Sequence, residues 1–451
     1  MSTFTVTNTN NSGAGSLRQA VLDANALTGK DIINFGGLFT DGLAHTINLT
    51  GSSLSITDNL TIEGTNPSLL TIKDDTADRV FDIGKGVTAA INGLTITNTY
   101  DGASGGGGIS NEGVLTLSNS IITGNRATNN TIDPGGNPIS AGGGIYNTGS
   151  LTVNYSIITD NTISQNDLNN ESYRFGTSNT GSYGGGIYNT GSLTLNHSTI
   201  TRNEVIGGIG YGGGIWDSGS LMINHSTIND NTATDGGGID NAGSLTVNNS
   251  TISGNTVSYD GGGIDNEGGL TTVNNSTISG NRAFDGGGIF NYDSLTVNYS
   301  TISGNSATSS GGGISIFDEG SYYPQFNKLM SIVSNSTISD NTSHFGGGIW
   351  NDGTLTVGNS TIRHNKVFGM EFSTTSGIEL SYVPGNGGGI YNYNSPYGTA
   401  TVDYSTIACN FDTPQEDSTK VIKSDDLVGK FISKGHDNWI GNLSGSTFSY
   451  S

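Results

Sequence analysis

Apolar residues recur along this chain in short groups at a regular spacing. The anchor isoleucines of the central units each follow three glycines and lie 25 residues apart, at Ile239, Ile264, Ile289 and Ile314. Within one unit, Leu245, Val247 and Ile252 alternate with polar or small residues. This alternation is typical of short strands that bury one face. Because three such strands cannot close a core alone, successive units are expected to stack on one another.

The stacked units predict an all-β fold, a right-handed parallel β-helix with three short strands in each coil of about 25 residues. Like residues of neighbouring coils are expected to lie about 4.8 Å apart. The sequence also predicts an N-terminal capping helix that begins after Ser16, buries Leu17, Val21 and Leu22, and ends at Gly29. Such a helix would cover the apolar core at the end of a solenoid.

The pattern divides the chain into three parts of one continuous solenoid domain. Residues 1–100 form the cap and the first irregular coils, residues 101–410 carry the GGGI repeats, and residues 411–451 form a terminal coil. The insertions interrupt mainly the links that lead into or out of GGGI. Loops that crowd one strand usually mark the working face of a repeat protein.

A column of asparagines closes the third strand of each repeat unit. Its members are Asn125, Asn161, Asn203, Asn231, Asn255, Asn281, Asn305, Asn341, Asn365 and Asn410. Asparagine tolerates the backbone of a tight corner, and stacked amides can hydrogen-bond along the axis. We interpret this column as structural.

The charge balance limits the kinds of partner. The chain has 16 basic and 38 acidic residues, a formal net charge of −22. This charge disfavours nucleic acids and anionic membranes as partners. Cys409 is the only cysteine, so no internal disulfide can form. No transmembrane segment is apparent, and the first residues show neither the basic nor the apolar region of a signal peptide.

Three segments carry a resemblance to known families. The GGGI anchors resemble the repeats of chlamydial-type polymorphic outer-membrane proteins. SLRQAVLDAN followed by DIINF, and DDLVGKFISKGHDNWIGNLSGST near the C-terminus, resemble bacterial, often cyanobacterial, secreted β-helix proteins of the pectate-lyase-like superfamily. The resemblance implies the β-helix fold and export to the cell surface or the extracellular space. The superfamily contains lyases, hydrolases, epimerases and adhesins, so it does not select one activity.

The residue after each GGGI should point away from the core, because the isoleucine points inward. The candidate ligand-binding residues at this position are Tyr146, Tyr188, Trp216, Asp240, Asp265, Phe290, Trp350 and Tyr391, with Ser110 and Ser315 in the same column. Aromatic rings stack on the apolar faces of sugars, and carboxylates beside them can bind or react. A polysaccharide, or another component of the cell surface or matrix, is the partner this column favours.

Two interpretations of the column remain open. In the first, the protein is an exported structural or adhesive protein that binds glycan or protein without chemistry. In the second, it is a polysaccharide lyase or glycoside hydrolase that uses Asp240 and Asp265 as its catalytic pair. Whether it is an enzyme stays uncertain, with the non-catalytic interpretation favoured, because no familiar catalytic motif is present.

The acidic residues at the adjoining corner suggest a cofactor. Asp235, Asp260 and Asp285 each precede a glycine triplet and should stack on one another. Their oxygen ligands would suit weak binding of Ca²⁺ as a cofactor. A second column holds His197 and His225 with tyrosines such as Tyr155, and we expect an exposed ladder there rather than a metal site.

Two further expectations concern the surfaces of the solenoid. The third strands carry paired files of hydroxyls, for example Thr251 with Ser253 and Thr277 with Ser279, which look like the surface of ice-binding solenoids. This is a minor alternative, since threonine is common in exposed strands. An open sheet edge near Ser451 would also allow end-to-end stacking into a homo-oligomer or filament.

Overall fold

The computed structural model describes residues 1–451 except 77–78, 100–104, 129–130, 133–137, 165–180, 318–329, 374–379, 384–385, 394–398, 413–425, 429, 434–438, 441–446 and 451. The chain groups into two compact units, Met1–Thr234 and Asp235–Ser451. In each unit, short parallel strands stack coil on coil, which confirms the predicted parallel β-helix. We name the three main sheets of each unit after the repeat segments that form them: the GGGI sheet, the SLTV sheet and the STI sheet.

The first unit contains the following strands. Its GGGI sheet has Leu54–Ile56, Phe81–Ile83, Ile109–Asn111, Ile145–Asn147, Ile187–Asn189 and Ile215–Asp217. Its SLTV sheet has Thr3–Val6, Asp31–Phe35, Leu60–Glu63, Thr88–Asn92, Val114–Ser118, Ser150–Asn154, Ser192–Asn196 and Ser220–Asn224. Its STI sheet has His45–Leu49, Leu70–Asp74, Thr95–Asn98, Ile121–Thr123, Ile157–Thr159, Thr199–Thr201 and Thr227–Asn229.

The second unit repeats this arrangement. Its GGGI sheet has Ile239–Asn241, Ile264–Asn266, Ile289–Asn291, Ile314–Ile316, Ile349–Asn351, Ile390–Asn392 and Leu427–Val428. Its SLTV sheet has Ser244–Asn248, Leu270–Asn274, Ser294–Asn298, Met330–Ser334, Thr354–Gly358, Thr399–Asp403, Lys430–Ser433 and Thr447–Tyr450. Its STI sheet has Thr251–Ser253, Thr277–Ser279, Thr301–Ser303, Thr337–Ser339, Thr361–Arg363, Thr406–Ala408 and Trp439–Ile440.

A fourth short strand, which the sequence did not predict, follows the column asparagine in many coils. In the first unit these strands are Arg126–Thr128, Thr162–Ser164, Glu204–Ile206 and Thr232–Ala233. In the second they are Thr256–Val257, Arg282–Ala283, Ser306–Ala307, Thr342–Ser343, Lys366–Val367 and Phe411–Asp412. Many have only two residues, of which one is buried, so they lack the alternation that reveals a strand.

Some insertions form strands of their own. Thr131–Ile132 pairs antiparallel with Pro138–Ala141, which in turn pairs parallel with Gly181–Tyr183. Gly181–Tyr183 also pairs parallel with Ile209–Tyr211. In the second unit, Met370–Ser373 and Leu380–Val383 form an antiparallel pair.

The core is built by exact stacking of like residues. Ile264 pairs with Ile239 in the preceding coil and with Ile289 in the following one, and all three are fully buried. Each isoleucine therefore contacts the same side chain above and below, which keeps a narrow core closely packed. The register follows directly from the repeat length.

The asparagine column lies inside this core and forms a hydrogen-bonded ladder, as expected. Asn281 shows the pattern: its backbone N–H and its Nδ2 both donate to Oδ1 of Asn305, at 3.0 Å each. Its own Oδ1 accepts the corresponding two bonds from Asn255 at 3.0 Å each. The buried amide of Asn281 is thus satisfied by its neighbours in the ladder.

The predicted capping helix is present, with two differences. It spans Leu17–Asn25, begins at Ser16, whose Oγ accepts from the N–H of Gln19 at 3.2 Å, and ends before Gly29. Leu22 is exposed, so the prediction that it joins the buried stripe was wrong, because Ala20 and Ala24 fill that face. The helix packs on Thr3–Val6, Asp31–Phe35 and Leu54–Ile56.

A short 3₁₀ helix spans Gly37–Thr40. In the described part of the chain, no helix has the length and apolar content needed to cross a bilayer. Ser451 and much of the terminal coil lie outside the described residues. Thr447–Tyr450 is the last strand of the SLTV sheet and pairs with Lys430–Ser433, and end-to-end stacking of copies stays a prediction.

Candidate functional site

The backbone of the glycine triplet determines how far the residue after GGGI is exposed to solvent. Gly236 and Gly261 have φ values of +58° and +67°, in the region that glycine favours. This conformation folds the chain back so closely that a Cβ on Gly236 would overlap the Cβ of Asp240. The turn therefore covers the side chain that the strand directs away from the core. Asp240 is 0% exposed and Asp265 2% exposed, so the expectation that they face solvent was wrong.

Asp240 and Asp265 are directly paired in neighbouring coils of the GGGI sheet. Glu267 joins them: each of the three residues offers a carboxylate oxygen, and these atoms lie within 4.8 Å of one another. Both carboxylate oxygens of Asp240 and Oδ1 of Asp265 are buried without a hydrogen-bond partner. We call Asp240, Asp265 and Glu267 the carboxylate cluster.

Burial and mutual repulsion disfavour charge on the carboxylate cluster. Burial raises the pKa of Asp240 well above its ordinary value, and the charges of Glu267 and Asp235 raise it further. The pKa of Asp265 is raised for the same reason, with Asp240 as its strongest charged neighbour. Within the described residues, no Lys, Arg or His forms an ion pair with the cluster. The cluster therefore has no compensating cation from these side chains.

Asp235, Asp260 and Asp285 stack at the adjoining corner as predicted, but each has a different environment. Oδ1 of Asp235 accepts from the backbone N–H of Asp260 at 3.0 Å, and Oδ1 of Asp285 accepts from the N–H of Ser310 at 2.7 Å. Burial, with the charges of Asp285 and Asp235, raises the pKa of Asp260 to about 8. Asp235 and Asp285 therefore each cap the backbone of the following corner. The three corner aspartates are not the ligand group that the structure brings together.

Sequence reasoning missed Glu267 because it lies outside the GGGI column. It follows Asp265 by two residues, and in an extended chain residues i and i+2 lie on the same side. This spacing of two residues was the sequence signal that could have placed Glu267 beside Asp265. Unlike the two aspartates, Glu267 is exposed, so the cluster reaches solvent through it.

The aromatic part of the column in the first unit forms a stacked ladder. The ring of Tyr188 lies parallel to that of Tyr146 at 5.0 Å and to that of Trp216 at 4.7 Å between centroids. Both faces of Tyr188 are therefore covered by neighbouring rings. A sugar stacks on a free ring face, so the geometry does not offer Tyr188 as the platform that the sequence suggested.

The aromatic residues of the column in the second unit are packed in a different way. Ser315 leaves space that the neighbouring Phe317 fills, with its ring 5.0 Å from Phe290 and 4.3 Å from Trp350. Phe290 is 1% exposed and Trp350 8% exposed. Tyr391 stacks on Phe345 at 5.6 Å. These rings stabilise the wall of the solenoid, and little of their surface is available to a ligand.

Two aromatic side chains next to the corner aspartates Asp260 and Asp285 in the sequence are open to solvent. Tyr259 and Phe284 directly precede Asp260 and Asp285 and are 46% and 48% exposed. They belong to adjacent coils, since the N–H of Phe284 donates to the carbonyl of Tyr259 at 2.6 Å. Neither ring stacks on another ring among the described residues. The sequence did not single them out, because they lie in a link and not in a strand.

The two other predicted columns are present. Tyr155, His197 and His225 form an exposed ladder, with successive rings 4.9 Å apart and nearly parallel. This confirms the solvated ladder that was expected there. In the STI sheet, Thr277 pairs with Thr251 and Thr301, so the half-exposed hydroxyl file is in register.

Comparisons with known proteins give the fold a context. No family model and no curated protein matches this chain. Among solved structures, the Dettilon tailspike protein (gp208) aligns with a TM-score of 0.41 and 12% identity, over 99% of this chain and 68% of the tailspike chain. The mannuronan C-5 epimerase AlgE6 A-module of Azotobacter vinelandii aligns with a TM-score of 0.31 and 11% identity, over 99% of both chains. At these values the likeness carries no argument about function.

Proposed function

We propose that this protein is a non-catalytic surface or matrix solenoid that binds neutral glycans through Tyr259 and Phe284. The observation that carries the proposal is the contrast between the two sets of rings. The rings of the predicted column cover one another or are buried, whereas Tyr259 and Phe284 lie open on adjacent coils. Two open rings at the repeat distance of the solenoid suit successive sugars of an extended chain.

The charge of the protein supports a neutral glycan over an acidic one. The net charge is −22, and the exposed ring pair lies next to Asp260 and Asp285 in the sequence. An anionic polysaccharide would be repelled at this surface. An extracellular or cell-surface location follows from the proposal, since such glycans are found there.

Burial of the acidic pair weighs against the enzymatic alternative. A general acid or nucleophile must contact the glycosidic bond, and the two carboxylates of a glycosidase must flank it. Asp240 and Asp265 are 0% and 2% exposed beneath the glycine turn, so a polymer does not reach them in this conformation. Binding without turnover is therefore the function we propose.

The test is affinity electrophoresis through gels that contain neutral polysaccharides or polyuronates. We expect neutral glycans to retard the wild type, and the double variant Tyr259→Ala/Phe284→Ala to lose affinity by about tenfold or more. The matched control is Tyr299→Ala, which removes an equally open ring (61% exposed) from another corner and should change affinity less than about twofold.

Two results would overturn the proposal. One is the absence of binding to every neutral glycan tested, or equal losses in the double variant and in the control. The other is release of new reducing ends or unsaturated products that Asp240→Asn abolishes, which would establish the enzymatic alternative. Circular dichroism of each variant checks that the β-helix is intact.

A further inference from the structure

Among the described residues, Asp240 is the one side chain with two buried polar atoms that lack a hydrogen-bond partner. The residue is 0% exposed, and neither of its carboxylate oxygens has a hydrogen-bond partner. Buried carboxylates in proteins are almost always hydrogen-bonded, paired with a cation or bound to a metal. Either a bound cation or a proton must therefore neutralise this carboxylate.

The residues around Asp240 add further negative charge that must be neutralised. The paired Asp265 is 2% exposed and also has an unpartnered buried oxygen, Oδ1. Glu267 brings a third carboxylate oxygen, so that ligand atoms of all three residues lie within 4.8 Å of one another. Leaving the charges of Asp240 and Asp265 buried and unpaired is strongly unfavourable. The column does not need acidic residues to fold, since the same position holds Phe290 and Ser315 in the next two coils.

We infer that Asp240, Asp265 and Glu267 form a binding site for one Ca²⁺ ion. Two oxygens on the same Ca²⁺ lie up to about 5 Å apart, because each bond is about 2.3–2.6 Å long. The separation of the three ligand atoms, within 4.8 Å, fits this limit. The ion supplies the positive partner that the buried oxygens of Asp240 lack.

The identity of the ion follows from its ligands and from their burial. Three carboxylates offer only hard oxygen donors, which favours Ca²⁺ or Mg²⁺ over zinc and copper. Mg²⁺ keeps several of its waters and requires near-ideal octahedral geometry. Two of the three ligand residues are closed from solvent. Ca²⁺ loses its water more readily and accepts irregular geometry, so the cluster suits it better.

The route into the site is short. Glu267 is exposed, and its side chain can bind a hydrated ion first and then deliver it to the two aspartates. This role differs from that predicted for Asp235, Asp260 and Asp285, of which Asp235 and Asp285 accept backbone hydrogen bonds at the corner. Their charges add to the field that attracts a cation.

Isothermal titration calorimetry of the full chain, freed of divalent ions with a chelator, tests the site. We expect one Ca²⁺ to bind with a dissociation constant between about 10⁻⁶ and 10⁻³ M, and Mg²⁺ to bind more weakly. Asp240→Asn and Glu267→Gln should each weaken Ca²⁺ binding by about tenfold or more. Asp340→Asn removes one exposed carboxylate from the same unit and should change the affinity less than about twofold.

Melting curves provide a second readout and guard against a variant that fails to fold. Ca²⁺ should raise the melting temperature of the wild type more than NaCl of equal ionic strength does, and this difference should vanish in Asp240→Asn. The inference fails if the wild type shows no calcium effect beyond that of NaCl while Asp240→Asn melts higher without any ion. That result would mean that protons alone neutralise the cluster. Equal weakening by Asp340→Asn would also overturn it, because it would indicate a diffuse attraction.

Discussion

Gly236 packs directly against Asp240, so that no side chain fits between them. Gly236 also has a φ of +58°, which costs any other residue about 1–2 kcal/mol. This contact closes the turn over the carboxylate cluster. The glycine triplets are thus both a bend in the chain and the cover of the residue that follows them.

Gly236→Ala should lower the free energy of unfolding by about 3 kcal/mol or more, the sum of backbone strain and steric overlap. Gly304→Ala separates the two causes, since Gly304 has a φ of +65° but nothing within 4 Å of an added Cβ. It should cost only about 1 kcal/mol. Urea unfolding of both variants measures the difference, and equal losses would show that the contact with Asp240 is unimportant.

The asparagine ladder should be a major source of stability. Asn281→Ala leaves the N–H and Nδ2 of Asn255 without their bonds to Asn281, in a fully buried position. We expect a loss of about 3 kcal/mol or more in the free energy of unfolding. Asn274→Ala is the control, because Asn274 is half-buried and donates from Nδ2 to Asn248 at 3.1 Å. It should cost less than about 1 kcal/mol.

Asp217 should make the stability of the protein depend on pH. It is 0% exposed, and burial raises its pKa to about 6, although hydrogen bonds from Asn189 and Gly219 oppose the shift. Below its ordinary pKa of 3.8 the residue is protonated in both the folded and the unfolded chain. As the pH rises, the unfolded chain ionises first, so the free energy of unfolding falls until the pH passes about 6.

The loss should reach up to about 3 kcal/mol, since one pKa unit corresponds to about 1.4 kcal/mol. Asp217→Asn should remove this part of the pH dependence and stabilise the protein near neutral pH. Asp230→Asn, at an exposed position, should leave the dependence unchanged. Urea unfolding between about pH 4 and pH 7 measures the slope. An identical slope in wild type and Asp217→Asn would contradict the prediction.

The aromatic ladder should stabilise the first unit without contributing to glycan binding. Tyr188→Leu removes two stacked contacts, with Tyr146 and Trp216, and should cost about 1–3 kcal/mol. It should also reduce the near-ultraviolet circular dichroism that arises from the coupled Tyr188 and Trp216 rings. Its retardation in glycan gels should match that of the wild type. A large loss of binding would instead return the glycan site to the predicted column.

The sequence was sufficient to predict the β-helix because the fold follows from a local rule applied many times. The spacing of 25 residues between Ile239 and Ile264 fixes which residues stack, and the alternation around Val247 fixes which face is buried. One extra residue in the following coil nevertheless changes which side chain occupies the core position. Leu270 is 53% exposed, and Thr271 takes the core position opposite Leu245. The amino-acid composition of this strand does not predict that Thr271 is buried in place of Leu270.

The site was predicted less completely, for a related physical reason. The repeat determined that Asp240 and Asp265 lie in one column and that Tyr146, Tyr188 and Trp216 lie in a row. A one-dimensional pattern specifies neighbours along the axis, but solvent access depends on how the chain bends in three dimensions. The turn at Gly236 covers Asp240, and the stacking of rings covers Tyr188, although both residues alternate with buried ones as exposed residues do.

The sequence by itself therefore determined the architecture, the register and the ladders of this protein, because identical coils place identical residues at the same positions. Only the tertiary structure decided which of those residues meet solvent, and that Glu267 joins the two aspartates of the column. Burial, ring coverage and the convergence of carboxylates depend on contacts between turns and links, whose lengths and conformations are outside the repeat.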